Sequence, residues 1–216
     1  MPPKPKTALQ RQQIRTAILN AARDLFVERG VEAATMREVA RRMNFSATAI
    51  YLHFKDKETL IRELCTTDFL TLAHELRAIE TIADPIERLR LLGMGYVQFA
   101  ITHPNHYRLM FMSPQIVHDT DSSSTEPDNP EQDAYASLYS MVVDAHAANL
   151  FRAELINPEL IAQTLWAGLH GICALEITMK NDKCIAWCDL TERVALMQGA
   201  LMRGLLRNHG TTTQIR

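Results

Sequence analysis

Three helix-start signals, Thr35, Ser46 and Asp56, crowd into one short span of the chain. Thr35 with Glu38 forms a capping-box pair: the threonine oxygen accepts from a backbone N–H and the glutamate reaches back. "TMREVARRM" then sets Met36, Val39, Ala40 and Met43 on one side at helical spacing. "NF" ends that helix, because Asn44 tolerates the left-handed backbone of a tight turn. Ser46 opens a second helix that reaches only to about Phe54, and Asp56 opens a third. A helix about two turns long has no room for a core of its own. Ile50 and Phe54, four apart, turn inward, and Leu52 cannot share their face. Ala47, Thr48, Tyr51 and, in part, His53 turn outward. Small residues at a helix tip can approach base edges in the major groove of DNA, which is wide enough to admit a helix. Tyr51 and His53 can donate to phosphate oxygens. Lys57 stands in the first turn of the next helix, where backbone N–H groups also attract phosphate.

Charge distribution agrees with that placement. The net charge of −2 hides a division: residues 1–62 hold 12 Lys and Arg against 6 Asp and Glu, and residues 63–216 hold 11 against 19. A basic quarter on an acidic body suits a polyanion-binding module. Upstream of Thr35, "IRTAILNAARDLFVERG" places Ile14, Ala17, Ile18, Ala21, Ala22, Leu25 and Phe26 on one face and ends at Gly30, a helix stop. Lys4 and Lys6 lie in a Pro-rich leader that is expected to be disordered and to offer a basic arm.

The stretch "ILNAARDLFVERGVEAATMREVARRMNFSATAIYLHFKDKETL" resembles the DNA-binding domain of TetR-family transcriptional regulators. Phe26, Gly30, Thr35, Ala40, Ser46, Tyr51, His53, Phe54, Lys57 and Glu58 match the family pattern, and Asn44 replaces its usual turn glycine. The resemblance implies an all-α chain with an N-terminal three-helix reading head and DNA contacts from Arg37, Ser46, Ala47, Thr48, Tyr51, His53 and Lys57. It carries over no operator sequence.

Beyond the head, helical spacing continues. The expected domains are a basic arm at 1–8, the helix–turn–helix at 9–55, a helical effector-binding and dimerisation domain at 56–207, and a frayed tail at 208–216. About nine helices result. Asp84 and Pro85 open one that stops before Pro104, and "NHYRLMFM" forms a short one. "SPQIVHDTDSSSTEPDNP" reads as a loop, "EQDAYASLYSMVVDAHAANLF" as a helix, and Asn157 opens a long one over 158–179. Asp189 with Glu192 opens the last, to about Arg207. The 160–179 stretch has the length of a membrane span, but Gln163, His170 and Glu176 argue for a helix packed in protein. With four cysteines and no secretion signal at the N-terminus, the expected location is the reducing cytoplasm.

"DPIERLRLLGMGYVQFAITHPNHYRLMF" and "LWAGLHGI" resemble the C-terminal domain of the TetR subfamily named for Trp, His and Gly, here Trp166, His170 and Gly171. That implies a small-molecule effector. The aromatic and Met-rich set Tyr96, Phe99, Tyr107, Met110, Phe111, Trp166, His170 and Cys173 is the expected lining of an apolar chamber, with Tyr96, Tyr107 and His170 as polar anchors. Gly95 is expected to border it.

A two-turn helix reads few bases, so two copies on a palindrome are expected. The expected dimer interface is Leu165, Leu169, Ile172 and Leu175 with Val194, Met197, Leu201 and Leu205, among small residues that let helices approach closely. A repressor released by an apolar ligand is the reading these features favour, with operator DNA, an effector and a second copy as partners. No cofactor or metal is expected, and no catalytic motif is present. The rival is a thiol or metal sensor using Cys173, Cys184 and Cys188.

Overall fold

In the computed structural model, residues 7–113 and 134–207 are described. Among them the chain forms nine α-helices and no strand. They are α1 (Ala8–Arg29), α2 (Met36–Arg42), α3 (Ala47–Tyr51), α4 (Lys57–Leu76), α5 (Pro85–Thr102), α6 (Pro104–Met112), α7 (Ala134–Ala147), α8 (Pro158–Met179) and α9 (Leu190–Leu205), with a 3₁₀ turn at Arg77–Thr81 after α4. The expected basic-arm residues Lys4 and Lys6, the loop after Ser113 and the tail from 208 lie outside the described residues.

Helix ends follow from local chemistry. Thr7 caps α1 through a capping box with Gln10, so the helix begins at the edge of the expected arm. Gly30 closes it at φ 81°, a conformation that costs a Cβ-bearing residue energy. Asn44 takes φ 55°, as the turn between α2 and α3 requires. Asp56 accepts from the Thr59 N–H at 2.7 Å to open α4, and Asp84 accepts from Ile86 at 2.9 Å to open α5. Helix α3 ends at Tyr51, short of Phe54, and α9 ends at Leu205.

By contacts the chain divides into two compact units, residues 7–71 with 103–113, and residues 72–102 with 134–207. This division lies further along than the expected 55/56 boundary. The reason is the first unit's core: Ile18, Phe26, Val39, Ile50 and Phe54 are joined there by Leu60 and Leu64 of α4 and Leu109 of α6. Each such side chain, fully buried, contributes roughly 1.5–3 kcal/mol. Polar links add direction. Arg23 of α1 donates through Nε to Asp68 of α4 at 3.0 Å and through Nη1 to Asn20 at 2.7 Å. Asp68 is fully buried, Arg23 is 5% exposed, and His106 lies 3.8 Å from the carboxylate. Burial pushes the Asp68 carboxyl up, against the pull of Arg23. Burial, then Arg23 and His103, push the His106 ring down to about 4. Asn105 of α6 donates to Asp24 of α1 at 3.1 Å.

In the second unit α5, α7, α8 and α9 pack on one another. Among the described residues α8 alone is long and apolar enough to cross a membrane by length and composition. It instead packs on the other three helices. Gly168 lets α9 approach closely: a Cβ there would meet Leu201 Cδ1 at 2.7 Å. Gly95 faces Leu76 and Ile79 at 2.7 and 3.2 Å, so its missing side chain serves packing on the 3₁₀ turn rather than the border of a chamber. Helix α9 is held at both ends. Arg193 pairs with Glu176 of α8 near its start, and past its end an antiparallel bridge joins Phe151 to Leu206, with Arg152 N–H bonding Leu205 O at 3.0 Å and Arg207 N–H bonding Leu150 O at 2.9 Å.

Burial within one protomer divides the residues of the expected dimer interface. Leu165, Leu169, Ile172 and Val194 are at most 9% exposed within one protomer, and Met197 and Leu201 lie against Gly168. Met197, Leu201 and Leu205 are half-buried, and Leu175 is exposed at 43%.

Removing one member of the Arg23–Asp68 pair should cost far more than removing both. Asp68→Ala leaves a guanidinium buried without its carboxylate and should lower unfolding free energy by about 3–5 kcal/mol in urea titration. The double change Arg23→Met with Asp68→Leu should recover most of that loss. A single variant within about 1 kcal/mol of the parent would mean that the pair is not desolvated as described.

Candidate nucleic-acid interface and ligand-binding residues

The reading surface is assembled by two caps, a turn and two anchors. Glu38 N–H donates to Thr35 Oγ1 at 3.3 Å and Thr35 N–H donates to Glu38 Oε2 at 3.0 Å, closing the expected capping box of α2. Hydrogen bonds to its carboxylate from the Thr35 hydroxyl, at 3.0 Å, and then from the Thr35 N–H hold the Glu38 carboxyl below the usual carboxylate range. Phe45 N–H returns to Ala40 O at 2.8 Å, folding the turn back on α2. Ser46 Oγ accepts from Ala49 N–H at 3.2 Å, so this hydroxyl is engaged as the cap of α3. Ile50 and Phe54 are fully buried and fix the roll of the short helix.

One positioning residue escaped the sequence reading. Arg15, on α1, donates through Nε to Glu63 at 2.8 Å, bonds the carbonyl of His53, and places its guanidinium 4.3 Å from the Phe54 ring centroid. A cation at the carbonyl end of a helix is favourable, and here it also clasps α3 to α4. Its partners lie 38 and 48 residues away, so no local spacing announces it.

With that scaffold in place, the expected contact residues sort themselves. Thr48 and Arg37 are exposed, Tyr51 is 50% exposed, and Ala47, His53 and Lys57 are half-buried. Arg37, Tyr51 and Lys57 share the lining of an open groove of about 680 Å³, with Thr35 and Glu38 in its wall. Lys57 Nζ donates to Glu32 O at 3.1 Å, which holds the ammonium at the groove. Ala47, Thr48 and His53 stand on or beside α3, outside that lining. Leu52, absent from the expected contact set, is 82% exposed at the end of α3.

The expected chamber residues divide between the units. Tyr96 and Phe99 of α5 and Trp166, His170 and Cys173 of α8 lie in the second; Tyr107, Met110 and Phe111 of α6 lie in the first. In the second, Trp166 Nε1–H donates to Tyr96 Oη at 3.0 Å, and the same oxygen lies 3.2 Å from His170 Nδ1. Desolvation lowers the His170 pKa and so favours the neutral ring. Tyr135 stacks obliquely on Trp166 with centroids 5.6 Å apart and donates its hydroxyl to Glu159. Burial and that carboxylate push the Tyr135 hydroxyl up to about 12. Phe99 and Cys173 are buried beside this set on the same two helices. In the first unit Phe111 meets Phe69 edge-on at 5.6 Å and Tyr107 at 4.9 Å.

Cys173 is buried in α8, while Cys184 and Cys188 are exposed in the segment before α9. Among the described residues no group of three or more His, Cys, Asp or Glu is placed to hold a metal ion.

Comparison with known proteins places these features together. Residues 18–64 match the family model for bacterial regulatory proteins of the tetR family, and residues 89–181 match the tetracyclin repressor-like C-terminal domain. The chain is 34% identical over 90 residues to the HTH-type transcriptional regulator UidR of Escherichia coli, covering 42% of this chain and 40% of that protein. It is 27% identical over 195 residues to the transcriptional activator FasR of Mycolicibacterium smegmatis, covering 85% of each. In fold it is similar to the fatty acid degradation regulator FadR from Bacillus halodurans, with a TM-score of 0.66 at 18% identity over 92% of this chain and 97% of that one. Two matches from one family, spanning more than half of the sequence, accompany a helix–turn–helix whose caps, turn and anchors are all in place: the chain belongs to the TetR family of DNA-binding transcriptional regulators.

Proposed function

We propose that the protein is a homodimeric repressor that binds a palindromic operator through α3 and is released by a small, largely apolar ligand held in its second unit. The observation that carries the DNA part is the shared groove of Arg37, Tyr51 and Lys57 beside the exposed tip of α3. In that reading Tyr51, Lys57 and Arg37 hold phosphates and set the register, while Ala47, Thr48 and His53 face the bases or the groove edge. Ser46 acts by capping α3. The protein works in the cytoplasm, where its operator lies. The relative FasR is an activator, so operator position relative to the promoter decides the sign.

The ligand part is supported by the Trp166–Tyr96–His170 chain. A phenol oxygen and a neutral imidazole, set among Phe99 and Cys173, offer hydrogen bonds within apolar surroundings, the usual composition of a small-molecule site. Trp166 and His170 are two of the three residues, with Gly171, that carry the narrower Trp-His-Gly resemblance. The neighbour FadR is a fatty acid degradation regulator, and an acyl-type effector with one polar end suits such a lining.

The dimer part rests on the surfaces left over. Exposed positions on α8 recur at Gln163, Ala167, Gly171 and Leu175, and on α9 at Glu192, Leu196 and Ala200. Leu196 is 70% exposed, and a Cβ at Gly171 or Gly204 would meet nothing within 4 Å. At a spacing of four, the small and apolar members of these rows, Ala167, Gly171 and Leu175 on α8 and Leu196 and Ala200 on α9, form the face that a second copy would cover.

Duplex selected from a random pool gives the operator on which all three parts can be measured. Lys57→Ala should weaken binding to every sequence and reduce the slope of log affinity against log salt by about one; an unchanged slope would remove Lys57 from the phosphate contacts. Long-chain acyl compounds should release the wild type, and Tyr96→Phe should raise the ligand concentration needed by about tenfold, the worth of one lost hydrogen bond. Equal sensitivity in that variant would place the polar anchor elsewhere. In sedimentation the parent should run as a dimer and Leu196→Glu as a helical monomer. A Leu196→Glu dimer would move the interface off α9.

A further inference from the structure

Of the large side chains on α3 and at its C-terminal cap, all but one now have a role. Ile50 is buried, Ser46 caps, and Tyr51 lines the groove with Arg37 and Lys57. The exception is Leu52, 82% exposed, the most exposed of the large apolar side chains among the described residues. A single exposed leucine on an ordinary surface needs no explanation. This one stands four residues, one helical turn, after exposed Thr48, and therefore on the same face as the helix tip. It also directly follows Tyr51, whose ring lines the phosphate-holding groove.

An isobutyl group has no donor for phosphate and no acceptor for a base amine. In the major groove the base edges offer one apolar group, the C5-methyl of thymine. We propose that Leu52 is a specificity-determining residue, selecting thymine in each half-site by covering its 5-methyl group. The inference rests on the reading of α3 as the recognition helix. Leu52 acts about 6 Å along the helix from Thr48, so the thymine is a different base pair from the one beneath Thr48. Hydrogen-bond readout at the tip is thereby supplemented by apolar readout behind it. Because Leu52 makes little contact with its own unit, changing it leaves the head folded.

The test uses the full-length protein and its selected operator. Each thymine in a half-site is replaced in turn by deoxyuridine, which removes the methyl and keeps every hydrogen bond. One replacement should weaken wild-type binding about fourfold, the worth of one buried methyl-sized group. The same replacement should have no effect on Leu52→Ala, which should also lose its preference for thymine over cytosine there. Thr48→Ala should keep the deoxyuridine effect and alter preference at another base pair. No sensitive thymine in the wild type, or a deoxyuridine effect undiminished in Leu52→Ala, overturns the proposal. If either result comes with tight, Lys57-dependent binding, α3 remains the recognition helix and only the role of Leu52 falls. A wild type that binds no duplex even at low salt overturns both.

Discussion

A helix of five residues has no stability of its own, because closing the first turn of an α-helix is unfavourable and later turns must compensate. The reading head is organised around that deficit. Ser46 supplies a partner for an orphan N–H at one end of α3, and Arg15 supplies a cation for a carbonyl just past the other. Ile50 and Phe54 sink into a core to which α1, α2, α4 and α6 all contribute. The buried Arg23–Asp68 pair fixes how α1 and α4 meet, so the floor beneath the recognition helix has one arrangement. What faces outward is then free to be chosen for DNA instead of stability.

The sequence made the local part of this plain. Caps, turn residues and inward positions act within four residues of one another, so Thr35, Asn44, Ser46, Ile50 and Phe54 could be placed by spacing alone. The long α8 was bounded correctly for the same reason, Asn157 and Pro158 being local signals. Pairings over distance were not legible. Arg15 with Glu63, and Arg23 with Asp68, are charged residues in a chain rich in them, and nothing in their neighbourhoods distinguishes a buried pair from solvated ones.

The expected dimer face shows a different limit. Helices α8 and α9 carry apolar residues on more than one side, and periodicity then gives the faces without saying which one the subunit keeps. Of the larger side chains on these faces, folding buries Leu165, Leu169, Ile172 and Val194 and leaves Leu175 exposed. Gly168 and Gly171 look alike in the sequence, yet one lies against Leu201 and the other faces open space. The chamber residues were read by composition, which groups side chains by type. It therefore joins Tyr107, Met110 and Phe111 to residues of another unit, and it also groups Tyr96, Trp166 and His170, which the fold links by hydrogen bonds across 70 and 74 positions.

The fastening of α9 at both ends bears on the speed and cost of association. With Asp189 and the Arg193–Glu176 pair at its start and the Leu150–Arg207 and Arg152–Leu205 bonds beyond its end, the helix has little fraying left to lose. Side chains such as Leu196 and Ala200 are therefore presented on a rigid rod. A surface that is already ordered gives up less conformational freedom on docking, and more of its buried area appears as affinity. A partner would meet a template, with most of the ordering completed when the chain folded.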